Sequence, residues 1–252
     1  MSGPGGKFVP MSEPLFDLEP ATESWHTLRR VGFDLETTSR FPAQARIVSA
    51  ALVAFDPDDA PGPNGAAPRV REWLVDPGVE IPVETTAIHG ISTEHARSEG
   101  QPAAEAVGQI VVALTQELEA GSAVIVMNAP YDLTVLRHEA ERYGYGFPEP
   151  RPIIDPLVLD KLVDQYRRGK RRLADLCNVY GVLLSEAHSA APDALAAVEV
   201  ADCLAERYPQ LQVPAGQLHD LQIGWKAEQA ADFQEFLRRT KPQAVIDGAW
   251  PM

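Results

Sequence analysis

The chain has 252 residues, 45% of them hydrophobic and 23% charged, with a net charge of −14 at neutral pH. That length can bury one full core, and the composition is that of an ordinary globular protein, not a fibrous, disordered or disulfide-rich one. The acidic balance excludes a chain that grips nucleic acid by bulk charge, yet it leaves room for a transient nuclease, because a site that gathers carboxylates for cations is itself acidic.

Residues 1 to about 24 are Gly/Pro-rich, then acidic, and are expected to be loosely ordered. Met1 to Pro10 carry one lysine and no apolar run, so no secretory signal is expected. No later window approaches the ~18 apolar residues of a membrane span, and a cytoplasmic location without membrane attachment follows as an expectation. The first strand is expected from Leu28 to Glu36. A second runs from Ala45 to Phe55, where Ile47, Val48, Leu52, Val53 and Phe55 form a largely apolar stretch. Asp56 to Gly65 is dense in breakers and reads as a loop, and Val70 to Val75 returns from it as a third strand. Three strands joined this way suggest an antiparallel meander.

The period then changes. Pro102 to Leu118 sets Val107, Ile110, Val111, Leu114 and Leu118 on one helical stripe, stopped by Gly121. Ala123 to Met127 is a buried strand, Tyr131 to Tyr143 a helix closed by Gly144, and Pro152 to Asp155 a short fifth strand. Helices follow over Leu157 to Val163, Arg171 to Tyr180 and Pro192 to Tyr208. This order implies an α/β fold, a mixed sheet with helices on its faces. Cys177 and Cys203 sit in apolar helical patterns and read as buried thiols, not as a disulfide framework or metal ligands. In the tail, 209–252, Leu218, Leu221, Trp225, Phe233, Phe236 and Leu237 fall near helical spacing, with Gln229 interrupting the stripe and Gly224 a break point. It reads as a helical extension packed on a domain spanning 25–208, or as a docking helix for a partner.

The chemistry starts in Val31 to Ser39. Strand alternation turns Phe33 and Leu35 one way and Asp34 and Glu36 the other, with the two acids roughly 7 Å apart at ~3.4 Å per residue. That spacing suits hard divalent cations, although such a pair alone far more often describes a half-buried strand with two solvated acids. Asp132, in Asn128-Ala129-Pro130-Tyr131-Asp132, and Asp193, behind Pro192, each open a helix and taken singly are ordinary dipole-stabilising acids. His188, in the small-residue loop Ser185 to Ala191, taken singly is a surface histidine. Jointly they differ. Ligand sites in open α/β sheets gather beyond the strand ends, and four carboxylates with one imidazole there make a metal site beside a proton acceptor.

These residues also carry a resemblance. Asp34-x-Glu36, Asn128-Ala-x-x-Asp132 and His188-x-x-x-x-Asp193 resemble the three motifs of the DEDDh 3′-to-5′ exonucleases, and within that family the proofreading epsilon-subunit branch of bacterial DNA polymerase III. Ala87-Ile88-His89-Gly90-Ile91, Asp155-Pro-Leu-Val-Leu and Leu173-Ala-Asp-Leu-Cys-Asn-Val-Tyr-Gly resemble supporting segments, so the likeness covers roughly 28 to 206 in order. Ser39 stands where Gly is common, and Pro130 lies inside the second motif; neither removes a ligand.

The resemblance implies a ribonuclease H-like fold, with a five-stranded mixed sheet whose second strand is antiparallel to the rest. It also implies hydrolysis of phosphodiester bonds at the 3′ ends of single-stranded or frayed DNA, with two divalent ions, Mg²⁺ or Mn²⁺, held by Asp34, Glu36, Asp132 and Asp193. His188 is the implied general base, since a neutral imidazole with a pKa near ~6.5 can take a proton from water at neutral pH. Thr37, His89 and Asn128 are implied substrate contacts. Arg167 to Arg172 holds five of the chain's 22 basic residues, and Arg168, Lys170 and Arg171 are expected either to clasp phosphates or to form a plain solvated loop. RNA or short oligoribonucleotides as substrate, and an accessory module docking to a polymerase or repair protein through the tail, are the rival readings.

Overall fold

The structure, a computed structural model, describes residues 23–57, 67–185 and 188–252. The loosely ordered segment expected at 1–24 lies outside the described residues except for Glu23 and Ser24, as does most of the loop expected at Asp56 to Gly65. The elements run β1 (Arg30–Thr37), β2 (Ile47–Phe55), β3 (Arg69–Asp76), α1 (Val83–His89), α2 (Thr93–Glu99), β4 (Gln101–Pro102), α3 (Ala103–Glu119), β5 (Ala123–Ile125), α4 (Ala129–Tyr143), β6 (Ile153–Ile154), α5 (Pro156–Val163), α6 (Leu173–Tyr180), α7 (Ala190–Arg207) and α8 (Ala215–Arg238).

The sheet order is β4-β3-β2-β1-β5-β6, six strands where five were expected. The addition is β4, two residues parallel to the end of β3 and too short to leave a periodic signal. β2 pairs antiparallel with both β1 and β3, whereas β5 is parallel to β1 and β6 is parallel to β5. The second strand is therefore the reversed one, as anticipated. Its apolar run follows from its place: helices cover both faces of the sheet, so both sets of its side chains are buried.

β1 divides the core. Val31, Phe33 and Leu35 enter the layer with α3 and α4, and the other face of the sheet packs Ala51, Val53 and Ile125 against α6 and α7. Gly32 lies on that second face. A Cβ there would stand 2.2 Å from the Ala194 carbonyl oxygen and 2.9 Å from Val198 Cγ2, so only glycine lets the start of α7 settle on the strand. Buried Arg30 adds an ion pair to Asp202 of α7 at 3.2 Å. Between Glu36 and Thr37 the β1–β2 pairing slips by one residue. Val48, beside the slip, packs on Ile81 and Ala96 and so seats the α1–α2 hairpin beside the end of β1.

The sequence signals did not foresee α1 and α2. Each is seven residues long, and α1 has no buried residue, so neither shows an apolar stripe. His89, expected in a loop, is the last residue of α1, with Gly90 in the left-handed conformation behind it. Cys177 is buried and Cys203 half-buried, both as free thiols. α8 is one unbroken helix of 24 residues. Gly224 lies on its exposed side, and Gln229 hydrogen-bonds the Val158 carbonyl at 3.0 Å. Its first half covers β6 and α5, whereas Phe233 and Phe236, expected on the apolar stripe, are 51% and 60% exposed. No helix among the described residues is long and apolar enough to cross a membrane.

Candidate active site

The site forms where β1 ends. Gly32 seats α7, and that contact brings Asp193, one residue before Ala194, against the strand face that carries Asp34 and Glu36. The loop before α7 folds back so that the His188 backbone N–H donates to Asp193 Oδ2 at 3.3 Å. This places His188 in the left-handed region, φ 68°, with its side chain exposed at the rim. One ligand atom from each of Glu36, His188 and Asp193 then falls within 4.8 Å of the others.

Asp132 arrives from the opposite side. It occupies the first turn of α4, is buried, and its Oδ1 accepts the Leu35 N–H at 3.1 Å. The reason lies in strand length. β5 pairs with β1 only from Arg30 to Gly32, so beyond that point the Leu35 amide has no strand partner, and the Asp132 carboxylate takes its place. That amide lies between Asp34 and Glu36, so one hydrogen bond ties the second motif to the first.

Four acids in this space repel one another. Burial pushes the Asp34 carboxyl well above the usual range, and the charges of Asp132, Glu36 and Asp193 push it further. Burial, then Asp193, raises Glu36 to about 7. Asp132 is raised by burial, with Glu36 and Asp155 adding to it. Asp193 is raised by burial, partly offset by His188, and its Oδ1 is buried without a hydrogen-bond partner. An orphaned carboxylate oxygen in a cluster of oxygen donors is what a hard divalent cation fits.

A cleft of about 270 Å³ opens beside Glu36, lined also by Thr37, Arg40, Ile88, His89 and Tyr131. The Thr37 hydroxyl, the Tyr131 hydroxyl and the Ser39 carbonyl form a triangle whose two hydroxyl protons serve two of its three sides, with Thr37 Oγ1 3.1 Å from the Ser39 oxygen. Ser39 is not among the described residues with positive φ, which explains why a serine serves where glycine is common. Pro130 sits at the start of α4, where its missing N–H costs nothing. His89 Nδ1 accepts the Ile91 N–H at 3.2 Å, and burial lowers its pKa.

Other expected contacts lie differently. Asn128 is exposed and adopts a left-handed conformation at the N-cap of α4, φ 62°. Arg171, expected on substrate phosphates, is committed elsewhere: its guanidinium pairs with the fully buried Asp160 and bonds the carbonyls of Asp160 and Asp164. Arg167 pairs with the same carboxylate at 2.7 Å, and the Tyr180 hydroxyl donates to it at 2.8 Å. A buried charge needs such partners, which is why two of the five basic residues of the run, Arg167 and Arg171, face inward. Arg168 and Lys170 remain exposed. Tyr131 and Arg40 were not singled out from the sequence, although both adjoin motif residues.

A family model described as exonuclease, RNase T type, matches residues 31–201, a range holding all five motif residues. The chain belongs to the RNase T exonuclease family. A DNA polymerase III subunit epsilon-like protein of Rhodobacter capsulatus is 32% identical over 174 residues, covering 67% of this chain and 22% of that protein. A putative bifunctional exonuclease/endonuclease protein of Mycobacterium tuberculosis is 28% identical over 134 residues, covering 53% of this chain and 20% of that one. The chain thus spans about a fifth of the length of these curated relatives. Escherichia coli exonuclease I, solved in complex with a dT13 oligonucleotide, superposes with a TM-score of 0.59 at 20% identity, over 73% of this chain and 42% of that one. Exonuclease I of Methylocaldum szegediense gives 0.57 at 19% identity, over 83% and 46%. The fold is the ribonuclease H-like fold of these nucleases.

Proposed function

We propose that this chain is a metal-dependent 3′-to-5′ exonuclease acting on single-stranded or frayed DNA ends. The observation that carries the reading is the convergence of Glu36, His188 and Asp193 within 4.8 Å, beside Asp34, whose carboxyl is pushed upward by burial and then by the charges of Asp132, Glu36 and Asp193. The order of the three motifs supports the direction of digestion, and the epsilon-like relative supports DNA as substrate. Asp34, Glu36, Asp132 and Asp193 would hold a pair of Mg²⁺ or Mn²⁺ ions, which when bound supply the positive charge that offsets the phosphate and favours ionisation of the attacking water. A ring nitrogen of His188 takes the proton of that water, and its exposure at the rim lets it pass the proton to solvent. Thr37, His89 and Tyr131 line the nucleotide cleft, with Arg40 as the one permanent cation among its lining residues.

Thermal melting of EDTA-treated protein tests the cation site without an activity assay. Mn²⁺ at about 100 times its dissociation constant should stabilise the fold by ~2.7 kcal/mol and raise Tm by roughly 5–10 °C. An unchanged Tm across a millimolar titration would count against the site.

The exposed pair Arg168 and Lys170 is proposed to meet substrate phosphates. Replacing both by alanine should raise KM and reduce the slope of log KM against log salt by about 1.4, at ~0.7 per single-strand contact, with Tm unchanged. Steady-state kinetics across a salt series measure this, and an unaltered slope would make the pair a plain surface loop.

A further inference from the structure

The residues after the family match are not a passive cover. The buried Asp155 carboxylate, at the end of β6, receives N–H groups from two directions. Its Oδ1 accepts the Asn128 N–H at 3.0 Å and the Leu157 N–H at 2.9 Å, and its Oδ2 accepts the Ala129 N–H at 3.1 Å and the Trp250 indole N–H at 3.4 Å. Asn128 and Ala129 are the residues through which β5 hands over to α4, and Asn128 is held there in a left-handed conformation that a non-glycine residue rarely adopts.

The C-terminal extension fixes Asp155 in turn. On α8, Gln222 Oε1 accepts the Asp155 N–H at 2.8 Å, Gln222 Nε2 donates to the Ile153 carbonyl at 3.0 Å, and His219 Nδ1 accepts the Ile153 N–H at 3.1 Å. These side chains satisfy the open edge of β6 as another strand would. Beyond α8 the chain returns along it, Gly248 lying over Ala227 and Ala230, and delivers Trp250 onto the His219 ring with centroids 4.8 Å apart. Trp250 is buried.

We infer that Asp155 and Trp250 are positioning residues of the nuclease: the extension braces Asp155, which holds the start of α4 and so presents Asp132 to the Leu35 amide between Asp34 and Glu36. This rests on the reading of Asp132 as part of the active site. The connection runs without a gap from the C-terminal tail to the catalytic strand.

Asp155→Asn keeps the shape of the side chain but turns one acceptor into a donor facing an N–H. In full-length, metal-free protein, amide hydrogen exchange at Asn128 and Ala129 should speed up about tenfold or more, while amides of β2 keep their rates. In the presence of Mg²⁺, kcat on a single-stranded oligonucleotide should fall ~10-fold with KM within about twofold. Trp250→Phe, which keeps the ring against His219, should shift both readouts in the same directions by roughly threefold. Unchanged exchange at Asn128 and Ala129 with wild-type kcat would overturn the inference. Equal acceleration across β2 would also overturn it, since that marks general loss of stability. A wild-type protein inert on DNA whose Asn128 and Ala129 amides still respond would count against the nuclease reading and leave the brace standing.

Discussion

Asp34→Asn is expected to lower turnover on the order of 10³-fold or more, while raising the melting temperature of the EDTA-treated protein. The first effect follows from the several kilocalories that charge stabilisation at a divalent site contributes to phosphoryl chemistry, at ~1.4 kcal/mol per factor of ten. The second follows from the repulsion among Asp34, Asp132, Glu36 and Asp193, each raised in the folded protein. A carboxylate whose folded pKa lies above its unfolded value binds a proton on folding. Without cations, stability therefore falls as pH rises from about 4, the unfolded range, through the value of about 7 reached by Glu36. Removing one charge relieves that penalty by ~0.5–2 kcal/mol, the scale found when a strained functional site is relaxed. Calorimetry at pH 6 and pH 8 in EDTA measures it. The wild type should be the less stable protein at pH 8, and the variant should narrow the gap between the two pH values. A variant that melts lower than wild type at pH 8 would show the four acids are not held in mutual repulsion.

His188→Ala should reduce turnover by ~10²–10⁴-fold with little change in stability. The exposed side chain fills no core, and the loop's tie to Asp193 runs through the His188 backbone N–H, which alanine retains. Because His188 sits at φ 68°, glycine at that position would also keep the loop. The loss should therefore fall on kcat, with KM and Mn²⁺ stabilisation preserved. Stopped-time assays with labelled oligonucleotide and melting curves in Mn²⁺ separate the two, and a fully active variant would remove His188 as the base.

Much of this was legible in the sequence, for reasons that differ between parts. The alternation of Phe33 and Leu35 against Asp34 and Glu36 is a period of two and survives in the strand that forms. The long helices announced themselves by apolar stripes and by Gly144 and Gly181, which end α4 and α6 in left-handed caps. What stayed hidden was whatever depends on partners far along the chain. Arg171 and Arg168 look alike in a basic run, and only the burial of Asp160 decides that the first turns inward. Asp155 was visible as a family-like segment, but its bond from Trp250 spans 95 positions and has no local signature. The seven-residue α1 and α2 are held by Val48, Ile81 and Ala96, not by periodicity of their own.

The tail shows the same limit from the other side. Phe233 and Phe236 share helical spacing with buried Leu218, yet they lie past Ala230, the last buried residue of α8, and so face water. Spacing reports which residues share a helix face. It does not report how far along the helix the rest of the protein extends.

The most direct measurement is digestion of a DNA oligonucleotide labelled at the 3′ end, beside the same strand labelled at the 5′ end, with Mg²⁺ and with EDTA. The 3′-labelled strand should lose its label at once as a mononucleotide, the 5′-labelled strand should shorten as a ladder, and EDTA should stop both. Early release of the 5′ label, or hydrolysis that continues undiminished in EDTA, would contradict a cation-dependent cut at the 3′ end.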